Sequence, residues 1–146
     1  MVDWLVDTNV WLALLEEQHA LHGTAISWWQ NLEEDDRVLF CRSAQQSFLR
    51  LRTTDAVARA YKLKPGSNTT ALRTYATLFK DERVELIDEP TELERKWIEL
   101  ASVRTASPKL WMDAYLAAFA ITGNYRLVTT DKAFMQFKGV ELVVLG

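Results

Sequence analysis

The chain has 146 residues, a net charge of −3, 49% apolar residues and 25% charged ones. That is a globular composition, long enough to bury a core, and it excludes a disordered chain or one that is basic throughout. One cysteine, three prolines and five glycines also exclude a disulfide scaffold and a long flexible linker.

Cys41, within "RVLFCR", reads as a reduced core residue. The segment "MVDWLVD" carries acids where a secretory signal carries bases, and no apolar run approaches membrane-spanning length. A cytoplasmic protein with no membrane association is expected. Charge is unevenly spread: from Arg42 to Lys80, Lys64 included, eight bases accompany one acid, Asp55. Such a stretch suits contact with a polyanion through counterion release. It equally suits a solvated face balanced by acidic segments on either side.

In chain order, "VDWLV" (2–6) predicts a buried strand and "TNVWLALLEE" (8–17) a helix. Ala25, Trp28, Trp29 and Leu32 recur at helical spacing within 23–34. "RVLFC" (37–41) predicts a second strand, and "SAQQSFLRLRT" a helix that Ser43 is placed to cap. "PGSNTT" (65–70) is turn chemistry, with Thr69 or Thr70 opening a helix that runs to about Phe79. "RVELI" (83–87) predicts a third strand, and Thr91 with Glu94 has capping-box spacing for a helix over 91–104. After Pro108, "LWMDAYLAAFAI" predicts a helix stopped at Gly123 and Asn124. "YRLVTT" is a fourth strand, "KAFMQF" a short helix and "VELVVL" a fifth strand. Apolar strands alternating with helices define an α/β class. The expected architecture is a three-layer α/β/α sandwich with a central parallel sheet of about five strands, one domain over 1–146.

Asp7 ends the first strand and Asp131 follows the fourth. Ligands of open parallel sheets bind beyond the carboxyl ends of the strands, which makes these two candidate neighbours. Each alone is also explained as a helix N-cap. Asp113 is harder to explain away: it is the only charged residue from Leu110 to Tyr125, with Leu110, Leu116 and Ala117 at helical spacing around it. A carboxylate on such a face needs a partner, either an arginine or a cation. Three carboxylates within about 4 to 6 Å repel one another by a few kcal/mol per pair at an effective dielectric near 20, and a divalent cation removes that conflict. All-oxygen ligation suits Mg2+ or Mn2+ and not zinc, and such an ion activates water for phosphodiester hydrolysis.

Other candidates carry less. His19 and His22 have no further histidine or cysteine nearby, so they read as solvent-exposed loop residues and not as zinc ligands. No glycine-rich phosphate loop occurs. Trp11, Trp28, Trp29 and Trp97 read as packing residues, one or two of them available to a dimer interface or a partner groove.

"LVDTNVWLALL", "MDAYLAAFA" and "RLVTTDKAF", in that order over nearly the full length, resemble the three acidic motifs of PIN domains. The resemblance is to the VapC-type ribonuclease toxins of toxin–antitoxin pairs in particular, and "HALHGTAISWW" and "FCRSAQQSFLRLRTT" add to it. It implies a PIN-like fold in which Asp7, Asp113 and Asp131 are the catalytic, metal-binding carboxylates, with Asn9, Thr129 and Thr130 as polar support. It further implies a Mg2+- or Mn2+-dependent ribonuclease that cuts structured RNA, tRNA or rRNA. The implied partner is a VapB-type antitoxin that blocks the site, and a homodimer is expected.

PIN domains usually place a glutamate in the helix after the second strand. Here that helix reads "SAQQSFLRL", and Gln45 or Gln46 takes the neighbourhood, offering a neutral carbonyl oxygen. Arg50 and Arg52, on the same helix, are candidates for holding RNA phosphates. The missing acid keeps a second reading open, a catalytically weakened PIN-like module that binds RNA or protein. A phosphatase acting on small phosphate esters would use the same carboxylates.

Overall fold

The structure is a computed structural model that describes residues 1–62 and 66–146. Pro65 of the expected turn and Lys64 of the basic stretch lie outside those residues. Five strands, β1 (Asp3–Val6), β2 (Arg37–Phe40), β3 (Val84–Leu86), β4 (Arg126–Thr129) and β5 (Glu141–Val144), pair in parallel in the order β3-β2-β1-β4-β5. They are short and nearly continuously apolar because a parallel sheet is covered on both faces. Leu5, Val6, Val38, Leu39, Phe40, Leu127 and Val128 are all completely buried.

Among the described residues, seven helices cover the sheet: α1 (Thr8–Leu15), α2 (His22–Gln30), α3 (Arg42–Arg52), α4 (Asp55–Ala60), α5 (Asn68–Leu78), α6 (Leu93–Ala101) and α7 (Leu110–Gly123). A 3-10 turn, Lys132–Gln136, lies between β4 and β5. The chain runs outward from β1 to β2 and β3, then returns to place β4 on the other side of β1. Right-handed crossovers in opposite directions put their helices on opposite faces. Accordingly α1 packs on α2 and α3, which in turn packs on α4 and α5, while α6 and α7 pack together as a separate pair. The architecture is the expected three-layer sandwich.

That winding makes the carboxyl ends of β1 and β4 the switch point of the sheet, where the outgoing connections diverge and leave a crevice. Packing fixes both walls. On α1, Trp11 is fully buried and stacks on Phe40 of β2, ring centroids 4.1 Å apart and 4° from parallel. Such a pair is worth about 0.5–1.5 kcal/mol beyond its buried area. On α7, Ala114, Ala117, Ala118 and Ala120 are buried, and these small side chains let the helix lie close to the sheet. The helix ends on Asn124 in the left-handed conformation (φ 58°). Gly123 is the last helical residue, and a Cβ there would collide with the ring of Tyr125.

Several local expectations are corrected. The helix α3 opens one residue before Ser43, whose hydroxyl caps nothing, and Cys41 precedes it without a side-chain cap. The Thr91–Glu94 capping box is not formed either, since α6 starts at Leu93 after Glu92. The α5 N-cap is Ser67, accepting from the Thr70 N–H at 3.1 Å, two or three residues before the expected threonines. The six-residue α4 was not expected; "DAVARA" has too little apolar periodicity to announce a helix. His19 and His22 are half-buried and not solvent-exposed loop residues: His19 stacks on Tyr61 and His22 Nδ1 lies 2.7 Å from the Ala13 carbonyl. Among the described residues, no helix is long and apolar enough to cross a membrane.

Candidate active site

Each of the three aspartates is carried by a different element; Asp7 and Asp113 line the crevice, and Asp131 lies beside it, joined to it by Lys109. Asp7 is the N-cap of α1: its Oδ1 accepts from the Thr8 N–H at 2.8 Å. Its own N–H donates to the Val128 carbonyl at 3.0 Å, which ties the end of β1 to β4. Asp131 caps the 3-10 turn, with Oδ1 accepting from the Ala133 N–H at 2.9 Å. Asp113 lies in the first turn of α7, its side chain only 14% exposed. Capping thus accounts for the placement of two aspartates and not for the third.

The three are linked pairwise. Fully buried Thr129 donates its hydroxyl to Asp7 Oδ2 at 2.7 Å and accepts the Asp131 N–H at 3.0 Å. Asp7 and Asp113 line one cavity of about 330 Å³. Asp113 and Asp131 share the ammonium of Lys109, which lies 3.5 Å from Asp113 Oδ2 and 2.7 Å from Asp131 Oδ2. Asn9 also supports the site, its Oδ1 accepting the Thr130 N–H at 3.3 Å.

Electrostatics follow from this layout. Burial pushes the Asp7 carboxyl above its ordinary range, the hydrogen bonds from Thr129 and Thr8 pull it back, and the charges of Asp113 and Asp131 add to the rise. Asp113 is raised by burial, with Lys109 opposing and the Asp131 charge reinforcing. Asp131 is held low by the Lys109 hydrogen bond and the Ala133 N–H, and the bond to Asp131 together with the Asp113 charge holds the Lys109 ammonium above its ordinary value.

On the other wall, Ser43, Ser47 and Arg50 of α3 face the cavity. They stand at i, i+4 and i+7 and so share a helix face. Gln45 and Gln46 are elsewhere. Gln45 donates to the Tyr75 hydroxyl at 3.1 Å and accepts from Arg42, and Gln46 is exposed. Neither lines the cavity, so the expected glutamine carbonyl is replaced there by two hydroxyls. Arg50 and Arg52 also part company, because residues two apart on a helix point in different directions. Arg50 faces the crevice, whereas Arg52 pairs with Glu16 in a separate cavity.

Lys109, Ser47 and Met112 were missed by sequence reasoning, although Lys109 precedes Asp113 by the four residues of a helical ion pair. An apolar cleft of about 250 Å³ between Trp97, Trp111 and Tyr115 adjoins the crevice and shares Ser43 and Met112 with it.

Among the described residues, no three His, Cys, Asp or Glu side chains are grouped so as to hold a metal ion by themselves. Mg2+ does not require such a cage, since it keeps several waters and takes one or two carboxylates. The crevice offers that chemistry: carboxylate, amide and hydroxyl oxygens, and a cationic group already lodged against two of the acids. The donor set fits a hydrated divalent ion.

A sheet of this order with acids at its switch point is the arrangement of the PIN domain, whose family model matches residues 4–140. The chain belongs to the PIN-domain family. Within it, 143 residues are 45% identical to Ribonuclease VapC41 of Mycobacterium tuberculosis, covering 97% of this chain and 98% of that protein. Solved structures agree on the fold. VapBC2 from Rickettsia felis, bound to a DNA fragment from its promoter, matches with a TM-score of 0.67 at 14% identity, over 99% of this chain and 100% of that one. VapC20 of Mycobacterium tuberculosis, a sarcin–ricin loop cleaving toxin, matches with a TM-score of 0.63 at 22% identity, over 94% and 97%.

Proposed function

We propose that the protein is a cytoplasmic, Mg2+- or Mn2+-dependent endoribonuclease, the toxin of a VapBC-type pair. Its substrate is structured RNA, tRNA or rRNA, and its partners are a VapB-type antitoxin and a second copy of itself. The observation that carries the reading is the pairwise linkage of Asp7, Asp113 and Asp131 through Thr129, a shared cavity and Lys109. The 45% identity to Ribonuclease VapC41 supports it.

A bound divalent ion would offset the carboxylate charge and supply an activated water and Lewis-acid stabilisation to the phosphodiester. The chain's own groups do the positioning. Thr129 and the Thr8 N–H hold both oxygens of Asp7, and the Ala133 N–H holds Asp131, so two acids are preorganised before substrate arrives. Arg50 stands opposite them, placed to take a phosphate oxygen flanking the scissile bond. Ser43 and Ser47 offer neutral hydroxyls where a glutamate is usual, so a metal would be held by fewer charges.

Asp113→Asn is expected to reduce RNA cleavage in Mn2+ by about a hundredfold or more while leaving the circular dichroism spectrum unchanged. Cleavage at the wild-type rate would remove the proposed site. Wild-type protein that binds RNA and leaves it intact in Mn2+ would instead mark a PIN-like binding module.

A further inference from the structure

Lys109 is in an unexpected place. It is the residue at the N-cap of the fourteen-residue α7, a position that favours Ser, Thr, Asp or Asn, and its side chain makes no cap. The N-terminal end of a helix carries partial positive charge, so an ammonium there costs helix stability. What the side chain does have is two acidic partners, Asp131 at 2.7 Å and Asp113 at 3.5 Å, although 68% of it stays exposed. It enters the mouth of the crevice from solvent and neutralises carboxylates that otherwise repel one another.

We propose that Lys109 is a displaceable internal counter-ion that couples metal loading to RNA binding. This rests on the reading of the crevice as a divalent-ion site. In the free protein the ammonium competes with a divalent cation for Asp113 and Asp131. When RNA docks, a backbone phosphate receives the ammonium, and the two carboxylates are released to the ion. Arg50 faces the same cavity from α3, so the phosphate is met by a cation on each wall. Two ligands joined this way raise each other's affinity by the same factor. The chain therefore holds metal weakly alone and more firmly with nucleic acid bound.

The test is a Mn2+ titration followed by electron paramagnetic resonance, with and without a short single-stranded DNA oligonucleotide as a source of phosphodiesters. Lys109→Met keeps the length of the side chain, and the exposed position spares the fold. The variant without oligonucleotide should bind Mn2+ on the order of tenfold more tightly than wild type. Lys109→Arg should remain close to wild type. The oligonucleotide should tighten Mn2+ binding to wild type and do so much less for Lys109→Met. Equal Mn2+ affinity of wild type and Lys109→Met, or equal enhancement by the oligonucleotide in both, overturns the coupling. If Asp113→Asn binds Mn2+ as wild type does, the metal site itself is wrong and the coupling falls with it.

Discussion

The carboxylates of the cavity between α1 and α3 and those of the switch-point crevice are treated in opposite ways. Between α1 and α3, Glu16 (7% exposed) is paired with Arg52 beside Leu12 and Tyr61, one acid against one base. At the switch point, Asp113 and Asp131 share one lysine that is mostly in solvent, and Asp7 is held by hydrogen bonds from Thr129 and Thr8 alone. The first arrangement is neutral and belongs to the fold. The second leaves negative charge uncompensated, and folding gains nothing from that, so it is charge kept for a ligand.

Exchanging the two kinds of variant breaks this contrast if it is wrong. The largest expected effect is on catalysis: Asp7→Asn should cost about a hundredfold or more in RNA cleavage with little loss of stability. Glu16→Gln should do the reverse, keeping residual cleavage per folded molecule while destabilising by about 2–4 kcal/mol, because Arg52 is left with a partly buried, unpaired charge. Urea denaturation measures that. A stable Glu16→Gln protein would mean that the pair is not structural.

The two arginines sharpen the comparison at a smaller scale. Arg50→Ala should weaken RNA binding severalfold and lower the slope of log affinity against log salt by about one, with the melting temperature unchanged. Arg52→Ala should lower the melting temperature and leave the salt slope alone. Identical salt slopes for both variants would remove Arg50 from the RNA surface.

The smallest effect concerns the aspartates without metal. Burial raises Asp113 above its ordinary range, so between its unfolded and folded titration points the native chain keeps a proton that the unfolded chain has released. Stability of the metal-free protein therefore falls as pH rises through that window. Asp113→Asn removes the loss and should melt a few degrees higher at neutral pH, about 3 °C per kcal/mol for a chain of this size. The gain should vanish at a pH below the ordinary carboxylate range. A lower melting temperature at neutral pH would mean that Lys109 overcompensates the burial.

The layering and the three aspartates were legible in the sequence because each leaves a local mark. Strands buried on both faces read as apolar runs, Asp7 and Asp131 follow such runs, and Asp113 interrupts an apolar helix. The α3 wall was only half legible. A search for a fourth acid leads to Gln45 and Gln46, whereas the periodicity of Ser43, Ser47 and Arg50 marks the face that meets the crevice. Helical phase separates Arg50 from Arg52, but the partner that Arg52 takes instead is Glu16, 36 residues from it in sequence. Helix starts were the least legible, since Ser67, Thr69 and Thr70 all carry a hydroxyl able to cap, although serine is the stronger N-cap and is the one used.

Thr129 has a consequence of its own. A hydroxyl has one hydrogen, and here it goes to Asp7 Oδ2, which leaves a lone pair for the Asp131 N–H. The direction of the relay is decided by counting protons, and no other arrangement satisfies all three groups. A single oxygen therefore ties the Asp7 carboxylate to the backbone at Asp131. Insertions on the outer surface can lengthen the chain without touching that tie, whereas Thr129→Val, which keeps the volume and removes the oxygen, takes it away.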